Sequence, residues 1–371
     1  MVSTVTAAVL DRPHESFHLQ EVTLDDPQPH EVVVRVVASG VCGTDLGVQS
    51  GHIPFPLPGV LGHEGAGVVE AVGSEVASVA PGDHVLLTFT SCGTCRNCRT
   101  GHPAYCVEFL PRNLVGGQRA DGSATLRRGS EPLHGHFFAQ SSFATRVLAD
   151  ERGVCRVDPS ADLSLLAPLG CGIQTGAGAV LNVLRPEPGS TLAVFGVGAV
   201  GLAAVMAATM TGATRIIAVD LVDSRLELAR DLGATDTVNS GSTDLDEVLR
   251  ELTGGQGVTH AVDATGHTGV LASALRALAP NGTLGLVGAP AAGTTIDVDV
   301  NYVLNGRRIV GITEGDSNPQ VFLPALVDLV QQGRMPLRRL VTPYAFADIN
   351  DAVEAARSGA VLKPVLGFDG T

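Results

Sequence analysis

Basic residues are scarce in this chain. Its 24 Lys and Arg stand against 38 Asp and Glu, a formal net charge of -14. Nucleic acid and anionic membrane surfaces both demand a basic face, so neither is expected as a partner. No internal repeat or low-complexity linker is present, which excludes repeat architectures. The opening MVSTVTAAVL has no basic start and no cleavage-site pattern, and Asp11 and Arg12 follow at once. It reads as a first strand, not a secretory signal. Cysteine is limited to 7 residues. All but one fall in metal-like spacings, which suits a reducing cytoplasm better than a disulfide scaffold. The exception, Cys155, is expected to be a small buried apolar side chain. One uncharged run, TLAVFGVGAVGLAAVMAATM at 191–210, is long enough to span a bilayer. Glycines break it near its start, so a strand, a tight turn and a buried helix explain it better.

What is present suits two globular domains. The chain has 371 residues, 44% hydrophobic and 17% charged. From Glu31 to about Leu87, short β-branched runs bounded by Gly, Pro and Asp read as strands of a β-rich domain. Residues 108–136 show no period and read as a long loop, either a lid near a substrate or a surface excursion. After about Leu169, short apolar runs alternate with helical stretches, which implies a doubly wound parallel sheet and an α/β fold. The tail holds two further helices and is expected to fold back on the first domain. The expected division is 1–172 with 315–371, and 173–314.

Two metal patterns stand out. Cys92, Cys95, Cys98 and Cys106 have the spacing of a closed four-thiolate zinc site, whose role is structural. Cys42, His63 and Cys171 are far apart in sequence, yet two sulfurs and an imidazole make a three-ligand zinc with an open position. Thr44 and Asp45 put a hydroxyl and a carboxylate beside the first of these, and Glu64 follows the histidine. The alternative for scattered cysteines is ordinary core packing.

A cofactor pattern follows. Gly196-Val-Gly198-Ala199-Val200-Gly201 lies between a predicted strand and a predicted helix. Ala199 and Val200 fall where backbone amides would meet phosphates at the helix N-terminus. Asp220 ends the next predicted strand, where a carboxylate accepts hydrogen bonds from ribose hydroxyls and repels a 2′-phosphate, favouring NAD over NADP. Arg225 could touch the same ribose or sit on a helix face.

Together CGTD, GHEGAGVVEAVG, the cysteine lobe, GCGIQTGAG and GVGAVG resemble, in order and over nearly the whole chain, the zinc-dependent medium-chain alcohol dehydrogenases. PAYC-x-EFLPRN, FFAQSSFAT and PLGCGIQTGAGA resemble the aryl-alcohol (benzyl-alcohol) branch, whose relatives also oxidise geraniol-like allylic alcohols. The resemblance implies a GroES-like catalytic domain and a Rossmann domain, two Zn2+ per subunit, NAD, a small alcohol or aldehyde substrate, and a homodimer or homotetramer. The Cys2His catalytic set belongs to that family's known chemistry. By position, the resemblance makes Asp45 the carboxylate that orients His63, Thr44 the hydroxyl that takes the substrate proton, and Glu64 an acid able to approach the metal. Phe89 and Phe143 fall at pocket-wall positions, and Thr175, Val287, Ala289 and Lys363 at cofactor-contact positions. For these last four residues, packing or (for Lys363) a solvated charge is the alternative. Many relatives carry a relay histidine where this chain has Gly47, so the proton leaves by water or through His52.

The implied reaction is reversible oxidation of a primary aryl or allylic alcohol by zinc-alkoxide hydride transfer to NAD. Two other readings remain. One is a thiol-adduct formaldehyde dehydrogenase of the same superfamily, which expects basic pocket residues such as Arg112, Arg119, Arg127 and Arg128. The other is a non-enzymatic nucleotide-binding protein, which should have lost the open metal site.

Overall fold

The structure, a computed structural model, describes residues 3–368. The chain divides into two compact units, one of Met1–Cys171 with Asn318–Thr371, the other of Gly172–Ser317.

The first unit is built on the strand Glu31–Gly40, EVVVRVVASG. Its β-branched residues alternate between a fully buried and a half-buried face, as a pleated strand requires. It pairs antiparallel with Gly65–Val72, Arg146–Asp150 and Lys363–Gly367 in a seven-stranded sheet. The pairing with Gly65–Val72 is so close at Gly67 that a Cβ there would fall 2.1 Å from the Arg35 carbonyl oxygen. The Lys363–Gly367 strand brings the tail onto this sheet, with Val365 opposite Gly40. The tail's two expected helices are Pro319–Gln331, which begins with Pro at its first turn, and Ile349–Ser358. Gly359 ends the latter in the left-handed conformation, φ 74°.

The 108–136 segment differs from the expected loop. It contains a π-helical turn at Pro111–Val115 and two strands, Leu126–Arg128 and Glu131–Leu133, which extend a five-stranded sheet. Strands of three residues are too short to leave a readable period. An ion-pair cluster holds the segment in place. Arg119 is 5% exposed and donates to both Glu31 oxygens at 2.7 and 2.8 Å and to Asp25 at 2.7 Å. Arg112 pairs with Glu108 and Arg128 with Asp11, while Arg127 is exposed.

The second unit carries a six-stranded parallel sheet. From one edge to the other its strands are Asp236–Asn239, Ala213–Asp220, Ser190–Phe195, Val258–Asp263, Leu278–Leu286 and Arg308–Gly311. Numbered along this unit the order is 3-2-1-4-5-6, the Rossmann arrangement with its switch point beside Ser190–Phe195. The uncharged run at 191–210 is that central strand followed by the helix Ala199–Ala208, whose residues from Gly201 onward are all buried. Among the described residues no single helix is long and apolar enough to cross a membrane.

Arg119 should dominate the stability of the first unit. Replacing it with Met keeps the stem but leaves Glu31 buried without its partner. Breaking a buried ion pair in this way costs about 3–5 kcal/mol. Chemical denaturation should show a lower midpoint for Arg119→Met, only partly restored in Arg119→Lys, which cannot span two carboxylates. An unchanged midpoint would rule out this role.

Candidate active site and metal centre

Cys42 is the N-cap of the helix Gly43–Gln49, and Asp45 is that helix's third residue. An acid at this position reaches back to the cap, and Asp45 Oδ2 accepts the Cys42 amide at 2.9 Å. Its other oxygen accepts the Gly62 amide at 3.0 Å and is 3.1 Å from His63 Nδ1. One carboxylate, 1% exposed, therefore fixes the backbone of one candidate ligand and the ring of another. Because Asp45 can only accept, Nδ1 carries the ring proton and Nε2 is left with its lone pair. That Nε2 is buried with no hydrogen-bond partner.

Gly62 aims the His63 turn. Its φ is +88°, and a Cβ would fall 2.5 Å from the Phe143 ring and from its backbone nitrogen. Phe143, expected as a pocket wall, is fully buried and edge-on to Phe17 at 5.8 Å. Its amide bonds the Leu61 carbonyl, which sets the ring beneath the turn. The aromatic rings beside His63 are Phe138, stacked at 4.6 Å, and Phe137, edge-on at 5.3 Å. Phe89 is two rings further out, 5.8 Å from Phe109, which in turn lies 6.3 Å from Phe138. FFAQSSFAT carried these two phenylalanines in the sequence, but neighbouring positions gave no sign of which ring faces the histidine.

Cys171 is the last residue of the first unit. It follows a 3-10 turn, Ala167–Gly170. The donor atoms of Cys42, His63 and Cys171 all lie within 4.8 Å of one another. Cys171 as hydrogen-bond partner holds the Cys42 thiol well below its usual value; burial opposes this, and Lys363 and His63 assist. A low-pKa sulfur and an orphaned imidazole nitrogen in one buried cluster are donors suited to zinc.

Glu64 is fully buried, and burial pushes its carboxyl up to about 7 against the pull of Lys363. Lys363 Nζ is 2.9 Å from both Glu64 oxygens and 3.3 Å from the Val41 carbonyl. The lysine is thus buried rather than solvated, and its three hydrogens have acceptors within the protein. Burial disfavours its ammonium, but Glu64 and the Cys42 sulfur outweigh that and hold it above its ordinary range. Thr44 is half-buried on the same helical turn as Asp45. At Gly47, which carries no relay group, a Cβ would fall 2.6 Å from the end of the Ile53 side chain, which would have to move to admit one. His52 is exposed, with Nδ1 2.7 Å from the Ser50 hydroxyl.

The four remaining spaced cysteines form a second cluster. Cys92, Cys95, Cys98 and Cys106 sulfurs lie within 4.8 Å of one another, with Cys92–Cys98 at 3.9 Å and Cys95–Cys98 at 3.5 Å. A tetrahedron with Zn–S bonds of about 2.3 Å has edges of about 3.8 Å, so these separations fit one zinc. Burial opposes ionisation of Cys92, but the Thr94 amide and hydroxyl and the Cys95 amide bring it down to about 6. Cys155 is apart from both clusters, and burial pushes it up to about 12, as suits an inert core thiol.

In the second unit, Gly196 follows the central strand with φ +81°. Gly201 must be glycine, since a Cβ would fall 1.9 Å from the Gly196 carbonyl oxygen. A Cβ at Gly198 would meet nothing within 4 Å, which leaves open space at the N-terminus of the helix begun by Ala199 and Val200. Asp220 stabilises this turn: Oδ2 accepts the Val197 amide at 2.8 Å, and Oδ1 accepts the amides of Leu221 and Val222. Arg225 is on the helix that follows Asp220, and its Nε is buried without a hydrogen-bond partner. Val287, whose amide bonds the Asp263 carbonyl, and the exposed Ala289 lie past the end of the strand Leu278–Leu286. Thr175 Oγ1 is 3.5 Å from the buried carboxylate of Glu314.

The two clusters predict separable metals. Cys42→Ser or His63→Ala should lower bound zinc from two per chain to one, while Cys95→Ser should remove the other ion and destabilise its lobe. Metal analysis of purified variants checks this, and two zincs retained in His63→Ala would overturn the ligand assignment.

Comparison with known proteins agrees with this geometry. The alcohol dehydrogenase GroES-like domain family matches residues 28–159, and the zinc-binding dehydrogenase family matches residues 199–332. A crystal structure of an alcohol dehydrogenase zinc-binding domain protein from Burkholderia ambifaria is 52% identical, covers 99% of this chain and 100% of that one, and has a TM-score of 0.96. Benzyl alcohol dehydrogenase from Acinetobacter calcoaceticus is 46% identical over 99% of both chains, with a TM-score of 0.95. Geraniol dehydrogenase from Castellaniella defragrans (strain DSM 12143 / CCUG 39792 / 65Phen) is 43% identical over 98% of this chain and 97% of its own. Matches over both units and along the full length converge on one assignment: the chain belongs to the zinc-dependent medium-chain alcohol dehydrogenase family.

Proposed function

We propose that this protein oxidises primary aryl or allylic alcohols to aldehydes, reversibly, with NAD as hydride acceptor. The observation that carries the reading is the buried Cys42, His63 and Cys171 cluster with the rings of Phe137 and Phe138 against its imidazole. Flat apolar faces beside a polar centre favour conjugated substrates over short alkyl ones. The benzyl alcohol and geraniol dehydrogenases among its relatives support the same substrate class. When bound, zinc supplies electron withdrawal from the alcohol oxygen and NAD takes up the hydride.

The protein's own residues have three tasks. Cys42, His63 and Cys171 would hold the metal, with Asp45 fixing the His63 tautomer. Thr44 would accept the hydroxyl proton of the alcohol and pass it on. Because Gly47 supplies no relay group, that proton leaves through water or by way of His52. Asp220, with its two oxygens at the strand end, supports NAD over NADP, since a 2′-phosphate would meet a carboxylate.

The thiol-adduct formaldehyde reading has less support. Of its four arginines, Arg112, Arg119 and Arg128 are engaged by Glu108, by Glu31 and Asp25, and by Asp11, while Arg127 is exposed. A non-enzymatic role would not require three buried donors and an oriented imidazole.

Initial rates of NADH formation test the substrate class. At matched concentrations, benzyl alcohol and geraniol should exceed ethanol by on the order of 10–100-fold in kcat/KM, the discrimination an apolar pocket supplies. Equal rates for all three, or none, would reject the aryl and allylic assignment. Cofactor choice has its own test: Asp220→Ala should reduce kcat/KM for NAD and raise that for NADP. A variant as selective for NAD as the parent would remove Asp220 from that role.

A further inference from the structure

Metal ligands from distant parts of a chain need something to fix their separation. His63 is in the turn after residue 60, whereas Cys171 closes the first unit more than a hundred residues later. Between them lies Gln140, which is 1% exposed and spends its whole amide on backbone. Its Nε2 donates to the His63 carbonyl and to the Thr88 carbonyl, both at 3.1 Å, and its Oε1 accepts the Gly65 amide at 3.1 Å. Gln140 thus grips the His63–Glu64 peptides from both sides. Thr88 continues the connection, its hydroxyl donating to the Gly170 carbonyl at 2.5 Å. Gly170 is the residue before Cys171, and a Cβ there would fall 2.2 Å from the Leu87 carbonyl oxygen, so this strand and turn are in the closest contact backbone permits.

Resting on the reading that Cys42, His63 and Cys171 hold zinc, we propose that Gln140 and Thr88 form a positioning bridge that sets the His63–Cys171 separation and thereby the site's hold on its metal. Neither residue is a ligand, and neither touches the reacting atoms. Both act through the main chain of a ligand or of its neighbour. A side-chain amide with three backbone bonds has no slack, so its loss lets the His63 turn and the Gly170–Cys171 turn drift independently. Removal of groups that orient ligands costs 10–100-fold in metal affinity in other sites, and a loss of about that size is expected here.

The test uses the full-length zinc-loaded protein and follows metal release to a chelator, with each ion counted. Gln140→Leu and Thr88→Val remove the bridge bonds at similar volume, and Thr88→Ser restores the hydroxyl. The parent protein should hold two zincs. Gln140→Leu and Thr88→Val should release one of them on the order of 10–100-fold faster, keep the four-cysteine zinc at the parental rate, and keep a cooperative unfolding transition. Thr88→Ser should release metal like the parent. Parental release rates in both Thr88→Val and Gln140→Leu would overturn the bridge, as would loss of both zincs together. A parent protein with no metal at the three-ligand site would instead overturn the underlying zinc reading. Cobalt substitution gives a second readout, since a displaced ligand changes the visible spectrum of the three-ligand site without any measurement of turnover.

Discussion

A carboxylate taken out of water must find donors to replace it, and Asp45 finds three: the amides of Cys42 and Gly62 and the Nδ1–H of His63. These donors come from two segments that leave the paired strands Glu31–Gly40 and Gly65–Val72 side by side, with the Gly40 amide on the Glu64 carbonyl. The sheet brings the segments together, and satisfying the carboxylate then fixes the N-cap of one helix against a glycine turn, which sets the candidate metal donors. The tautomer of His63 and the backbone direction at Cys42 depend on the same group. In this sense the site is assembled around a buried anion before any metal is considered.

Two further buried ion pairs extend the same logic outward. Glu64 and Lys363 are 299 residues apart, and their ion pair ties the C-terminal strand to the turn that carries His63. Arg119 does likewise for the 108–136 segment through Glu31, which begins the central strand. Breaking either pair would leave a charge uncompensated in the interior, which costs more than the pair itself contributes. The first unit is thus a β-core whose peripheral segments are fastened by charges aimed inward, and that explains why a region without a hydrophobic period is ordered.

Which features were readable from sequence depends on how local their physics is. The glycine turn at 196–201 was legible because its chemistry is contained in six residues between a strand and a helix. The four-cysteine lobe was legible for the same reason. The partnership of Asp45 with His63 came from family resemblance, since no spacing rule links residues 45 and 63. The ion pair of Lys363 with Glu64 left no sign in the sequence, because no spacing rule links residues 299 apart. Gln140 gave no signal: a single amide in an aperiodic stretch has no pattern, and its function is set by three backbone groups from elsewhere. Phe143 and Phe138 are alike in sequence, and only the pairing of Phe143 with Leu61 decides which ring goes under the turn and which faces the histidine.

The segment around Gln140 shows how that hidden order is maintained. Phe138, Ala139 and Ser141 have φ of 51°, 52° and 48°, left-handed values that L-residues seldom adopt, on either side of Gln140 at φ -147°. Such residues cost of order 1–3 kcal/mol each and persist only where the surroundings over-determine them. Here the surroundings are the metal turn itself. Ser141 Oγ donates to the Val60 carbonyl, the Ser142 amide bonds the Gly62 carbonyl, and Gln140 clasps both sides of His63. The strained segment has no such partners unless the 60–65 turn is formed, and the turn is not held in place unless the segment is strained. Each stabilises the other. His63 is therefore positioned by a two-piece unit that forms as a whole, and this accounts for a ligand held rigidly enough to leave one nitrogen bare in a dry interior.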